Sequence, residues 1–116
     1  MSAKRDVGVY LEDILKSIGR IEKYTDNLNR SDFSQDIDKQ DAVVHRLEII
    51  GEAAKNVPQE LREKYPNVPW REISRTREKI THHYFEIDEE QIWNIIQNDL
   101  QPLKKQITKI LEESKD

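Results

Sequence analysis

Cysteine is missing from the sequence altogether, which removes disulfides, thiolate metal sites and a cysteine nucleophile together. Long hydrophobic runs are missing too. No segment approaches the ~18 apolar residues of a membrane span, and the opening MSAKRDVGVY has no apolar stretch of signal-peptide length. A soluble, cytoplasmic protein with no membrane partner is expected. Positive charge is in deficit: 19 Lys and Arg against 23 Asp and Glu leave a formal net charge of −4. That argues against coating nucleic acid by bulk charge, but not against a small local site. Glycine and proline are scarce, three and four in 116 residues, so little interrupts a helix. Internal repeats, low-complexity tracts and period-two alternation long enough for a strand are also absent.

What is present points to helix. The 116 residues make one domain, 1–116, and a chain of this size buries roughly 60–70% of its extended surface without needing staples. A first helix is predicted from about Arg5 to Tyr24, with Val7, Tyr10, Leu11, Ile14, Leu15, Ile18 and Ile21 in one apolar stripe. The polar run Thr25 to Gln35 reads as a surface connection with a helical turn, anchored by Phe33. A second helix should begin near Asp36 or Asp38 and reach Asn56, burying Val43, Leu47, Ile50, Ala54 and Val57, with Ile49 and Ala53 widening the stripe. Gly51, Ala53 and Ala54 form a smooth patch on it, suited either to close packing within the chain or to a subunit interface. A short helix fits Pro58 to Tyr65, and Pro69 suits the first turn of a third helix capped by Asn67 or Val68. Asp88 and Gln91 resemble a capping box opening a fourth helix with the stripe Ile92, Ile96, Leu100, Leu103, Ile107 and Ile110. Pro102 should kink that helix, because it lacks the donor for the carbonyl of Asn98. Four main helices with mostly short links, plus the short one near 58–65, predict an all-α antiparallel bundle.

The chemistry gathers in Trp70 to Asp88, WREISRTREKITHHYFEID. It holds the adjacent pair His82 and His83 together with Arg71, Arg75, Arg77 and Lys79, against only two acids before Tyr84. A cationic segment with a titratable imidazole suits a phosphate ester better than a peptide or a sugar. On an unbroken helix Trp70, Ile73, Arg77, Ile80 and Tyr84 share one face. Arg77 would then stand in an apolar stripe and need a partner, Glu48 or Glu52, or a ligand. His82 would lie about 140° away from Arg77. Either the helix loosens near Thr81, or His82 is aimed elsewhere, toward a second subunit.

Arg77, four residues, His82, one residue and Tyr84 resemble the R-x4-H-x-Y signature of the HepT-like proteins, part of the HEPN superfamily of small helical ribonucleases and nucleotide-binding domains. Asp41 to Val44 with Leu47 to Lys55 looks like that family's second helix, Pro69 to Ile73 like its entry to the motif, and Tyr84 to Asp88 with Ile92 and Trp93 like its exit. The likeness covers nearly the whole chain. It implies a metal-independent RNase toxin without a cofactor, acting as a homodimer on RNA and paired with a small nucleotidyltransferase antitoxin. It makes Arg77 and His82 the catalytic pair, and Tyr84 the acceptor of AMP from the antitoxin. Arg75, Glu78 and His83 are weaker, supporting candidates. Two positions depart from the pattern: Glu78 stands where Asn or Asp is common and could pair with Arg77 or Arg75, and His83 stands where Gly is frequent.

Cleavage of RNA by its own 2′-hydroxyl needs a base, an acid for the leaving oxygen and a cation for the charge on phosphorus. A histidine with a pKa of about 6.5 serves as either acid or base, and an arginine fork matches two phosphate oxygens. One motif histidine per chain covers one proton transfer, and a twofold dimer would supply the second. A non-catalytic, nucleotide-binding regulatory partner of a nucleotidyltransferase would use the same residues, whereas a purely structural adaptor would leave them idle.

Overall fold

The computed structural model describes residues 3–82 and 86–114. Helix α1 (Ala3–Thr25) buries Leu11, Ile14, Ile18 and Ile21, the centre of the expected stripe, while Val7, Tyr10 and Leu15 pack at its edge. It lies chiefly against α3 (Ile37–Lys55) and then against the C-terminal helix α8 (Leu100–Ser114). Glu22 of α1 accepts from Lys104 of α8 at 3.0 Å.

The connection after α1 is more ordered than a plain loop. Asn27 takes a left-handed φ of 65°, a conformation asparagine tolerates. Asn29 and Asp32 then close a reciprocal capping box that starts α2 (Arg30–Gln35). Phe33 is buried and meets the Trp93 ring at 5.4 Å between centroids. Beside it, Glu89 accepts from Ser34 at 2.6 Å and from Gln40 at 3.3 Å. The segment is thus a strap tying the start of α3 to α7 (Glu89–Asn94).

Asp36 caps α3 by accepting the Lys39 N–H, and the inner face carries the expected Val43, Leu47, Ile50, Ala53 and Ala54. Ile49 remains half-exposed and outside the core, which narrows the expected stripe by one residue. The close approach at Gly51 is intramolecular. A Cβ there would stand 3.2 Å from the Ile73 carbonyl oxygen, so α5 (Trp70–Ser74) fills the smooth patch. The orphan carbonyls at the end of α3 are taken by Arg62 of α4 (Gln59–Lys64), which donates to Ala54, Lys55 and Val57.

Two expectations about the third helix are corrected. Its cap is Pro69 rather than Asn67 or Val68, and the Trp70 indole N–H instead fastens the turn by donating to the Tyr65 carbonyl at 3.0 Å. The helix is also split, into α5 and α6 (Thr76–Ile80), with Arg75 between them. Thr81–His82 (β1) then pairs antiparallel with Glu86–Ile87 (β2), Thr81 opposite Ile87 and His82 opposite Glu86. Strands this short leave no periodicity to read.

Asp88 caps α7 as expected, accepting the Gln91 N–H at 3.1 Å. The disturbance expected at Pro102 takes the form of a π-helical turn, Ile95–Asp99, joining α7 to α8. There the Leu100 N–H reaches back five residues to Ile95, and Asn98, whose carbonyl Pro102 cannot satisfy, lies inside the turn. The wider turn changes the phase of the stripe: Ile95, not Ile96, is buried with Ile92, Leu100, Leu103, Ile107 and Ile110. The architecture is the expected all-α bundle, carrying one minimal strand pair among the described residues.

Candidate functional site

Three hydroxyls shape the backbone around Arg77. Ser74 donates to the Arg71 carbonyl at 2.9 Å, Thr76 to Ile73 at 2.6 Å and Thr81 to Arg77 at 2.8 Å. Side chains bonded back onto the preceding turn compete with the helical ladder. The helix breaks beside the first two and ends at the third, where Thr81 is extended (φ −113°, ψ 137°).

The break turns α6 about its axis. The buried series continues as Trp70, Ile73, Thr76 and Ile80, so Arg77 leaves the apolar stripe in which an unbroken helix would have held it. Its side chain is 71% exposed, with Nε 3.6 Å from Oε2 of Glu48. The buried-arginine expectation is therefore replaced by a surface ion pair, of a kind worth about 0–1 kcal/mol. Glu52, the other candidate partner, lies 4.0 Å from Lys55 instead. Glu48, Gly51, Ser74 and Arg77 border a small cavity of about 100 Å³ between α3 and α5–α6.

The position of His82 is settled at the backbone level. α6 ends at Ile80, His82 belongs to β1, and the Asp88 N–H closes the ladder on the Ile80 carbonyl at 2.7 Å. The 140° separation derived for an unbroken helix does not apply. Tyr84 and His83 themselves lie outside the described residues. Arg75 sits at the break, exposed, and Glu78 is exposed on α6. Among the described residues neither forms an ion pair, so Glu78 does not tie up Arg77 or Arg75.

Sequence reasoning missed a groove on the other side of α6, of about 400 Å³, floored by Ile50, Ile73, Ile95 and Leu103. Lys79 and Asp99 face each other at 3.8 Å on its rim. Pro102, inside an otherwise regular apolar pattern, was the available signal, since the π-turn it accompanies forms one wall. No helix among the described residues is long and apolar enough to cross a membrane.

Comparison with known proteins identifies the family. The family model described as Ribonuclease HepT-like matches residues 14–110. A Methanocaldococcus jannaschii protein whose name joins gamma-glutamylcyclotransferase to a candidate RNase is 44% identical over 110 residues, covering 95% of this chain and 50% of that protein. The chain thus spans about half the length of that relative. A second M. jannaschii protein, named as a candidate RNase, is 41% identical, with 95% of this chain and 91% of the relative covered. A Thermococcus cleftensis protein named as a probable ribonuclease HepT is 41% identical over 92% of this chain and 97% of its own length. No solved structure matches the chain significantly. With a family match across most of its length and relatives above 40% identity nearly end to end, the chain belongs to the HepT-like ribonuclease family.

Proposed function

We propose that the chain is a metal-independent endoribonuclease, the toxin of a toxin–antitoxin pair, working as a homodimer with Arg77 and His82 as its catalytic residues. The observation that carries this reading is the exposure of Arg77: the helix break turns it out of the core, and among the described residues only Glu48 engages its side chain. Its guanidinium is thus open to a phosphodiester, which it can grip through two oxygens. Support also comes from the early end of α6, which brings His82 off the helix five residues after Arg77.

In this mechanism Arg77 stabilises the extra charge on phosphorus while the 2′-hydroxyl attacks and the 5′-oxygen leaves. His82 of one subunit takes the hydroxyl proton. His82 of the other returns a proton to the leaving oxygen, so a twofold seam supplies acid and base from a single position. Silencing runs through Tyr84. Its phenolic oxygen attacks the α-phosphorus of ATP held by a nucleotidyltransferase antitoxin, pyrophosphate leaves, and the phenolic proton is lost to solvent. The attached AMP then competes with RNA for Arg77.

The test is cleavage of RNA by purified protein with and without a chelator. Wild type should cut in both, and Arg77→Ala and His82→Ala should each lose ~10²–10⁴-fold in rate with helical content intact. Tyr84→Phe should cut RNA yet resist silencing by the antitoxin with ATP, with added AMP seen by mass on wild type alone. Wild-type protein that leaves RNA uncut while binding nucleotide would overturn the reading in favour of a regulatory subunit.

A further inference from the structure

Arginine has four side-chain torsions before its guanidinium, so an exposed arginine needs something to aim it. Arg77 is 71% exposed, and among the described residues the only polar group on its side chain is the Glu48 carboxylate, at 3.6 Å from Nε. That distance exceeds a directed hydrogen bond, so charge rather than a fixed bond holds the pair. Engagement at Nε leaves the edge formed by Nη1 and Nη2 without a hydrogen bond among the described residues, and this edge can fork onto two phosphate oxygens.

The backbones bearing the two residues have little room to drift. Glu48 lies one turn before Gly51, where α3 meets the Ile73 carbonyl so closely that a Cβ would stand 3.2 Å from it. Ile73 begins the short stretch leading to Arg77, and its carbonyl is held by the Thr76 hydroxyl at 2.6 Å. The α3–α5 contact therefore fixes the span across which Glu48 reaches Arg77.

We propose that Glu48 is a positioning residue for Arg77, presenting the Nη edge of its guanidinium to the RNA phosphate and weakening ground-state RNA binding by its own negative charge. This rests on the reading of Arg77 as catalytic. The two effects pull the kinetic constants in ways that a structural role would not. Without Glu48 the guanidinium is free to point elsewhere, and kcat falls. The phosphate also loses a repelling neighbour, and KM falls with it.

The experiment compares wild type with Glu48→Ala, Glu48→Gln and Glu48→Asp in steady-state RNA cleavage, with Arg77→Ala as the reference for a lost guanidinium. Glu48→Ala should lower kcat roughly 2–5-fold, the bias that a surface ion pair of this exposure can impose. It should also lower KM about threefold, the size of a unit-charge repulsion across ~7 Å of water. Glu48→Gln keeps the shape but removes the charge that holds the pair, so it should lose kcat as Glu48→Ala does and show the same lowered KM. Glu48→Asp keeps the charge but is too short, so kcat should stay low without a drop in KM. High salt should shrink the KM and kcat differences together, because it screens the pair as well as the repulsion, and the urea midpoint should hardly move. If Arg77→Ala is inactive and Glu48→Ala keeps wild-type kcat, or raises KM, the proposal is overturned while the ribonuclease reading stands. If wild type cuts no RNA, that reading falls and takes the proposal with it.

Discussion

The three glycines should respond to the same substitution with different signs. All sit inside helices, where replacing glycine by alanine gains up to ~1 kcal/mol. At Gly8 and Gly19 of α1 an added methyl meets nothing within 4 Å, so each substitution should return that gain. At Gly51 the methyl would stand 3.2 Å from the Ile73 carbonyl oxygen and 3.8 Å from that of Ser74. The first oxygen cannot readily retreat, because it accepts from the Thr76 hydroxyl and the Arg75 N–H. Overpacking of this kind costs ~1–3 kcal/mol, which set against the propensity gain leaves Gly51→Ala between neutral and ~2 kcal/mol destabilised. Urea titration reads these differences directly, and each kcal/mol should move Tm by roughly 3–6 °C in a domain of this size. Because α5 must shift, Arg77 shifts too, and RNA cleavage should fall by more than the unfolded fraction explains. Gly51→Ala as stabilising as Gly19→Ala would refute the account of the α3–α5 contact.

Phe33→Ala should destabilise by ~3–5 kcal/mol, as expected for a buried ring, because it removes the anchor of the strap and its contact with Trp93; a loss below ~1 kcal/mol in urea would mean the strap is not part of the core. Asn29→Ala should cost ~1 kcal/mol by opening the capping box at α2, read as an earlier urea midpoint with Trp93 fluorescence as probe. Arg71 and Arg75 are exposed and, among the described residues, free of ion pairs. Replacing either by alanine should raise KM for RNA with kcat kept, and flatten the log–log salt dependence of binding by roughly 0.7 for each phosphate no longer engaged. An unchanged salt slope would place the RNA elsewhere.

The apolar stripes of α1, α3 and α8 were readable because burial repeats at helical spacing, and the starts of α3 and α7 because Asp36 and Asp88 are strong caps. The break at Arg75 was not readable from propensity, since neither glycine nor proline is there. Its signal was the series Ser74, Thr76 and Thr81, hydroxyls that bond back to the preceding turn. Missing that series put Arg77 in the core, whereas the end of the helix matches one of the two outcomes left open for His82, a loosening near Thr81. The partner of Arg77 was narrowed to Glu48 or Glu52, which both lie on the flank of the neighbouring apolar stripe, and the structure selects Glu48. The substitution of Ile95 for Ile96 in the core followed from a five-residue hydrogen bond that no helical wheel contains.

That five-residue turn has a consequence for insertions and deletions. Ile92 ahead of it, Ile95 at its start and Leu100 and Leu103 behind it are all buried, so the two halves of the rod are keyed to the core in registers that differ by one residue. Replacing Pro102 restores a donor but cannot restore an ordinary helix, because closing the wide turn would rotate one half by roughly 100° against its own sockets. Removing a single residue from Ile96–Asp99, together with replacing Pro102, would absorb that rotation. The segment is therefore a place where the chain can shorten by one without moving its core, whereas one residue lost from the middle of α1 would turn Ile14 or Ile18 out into water.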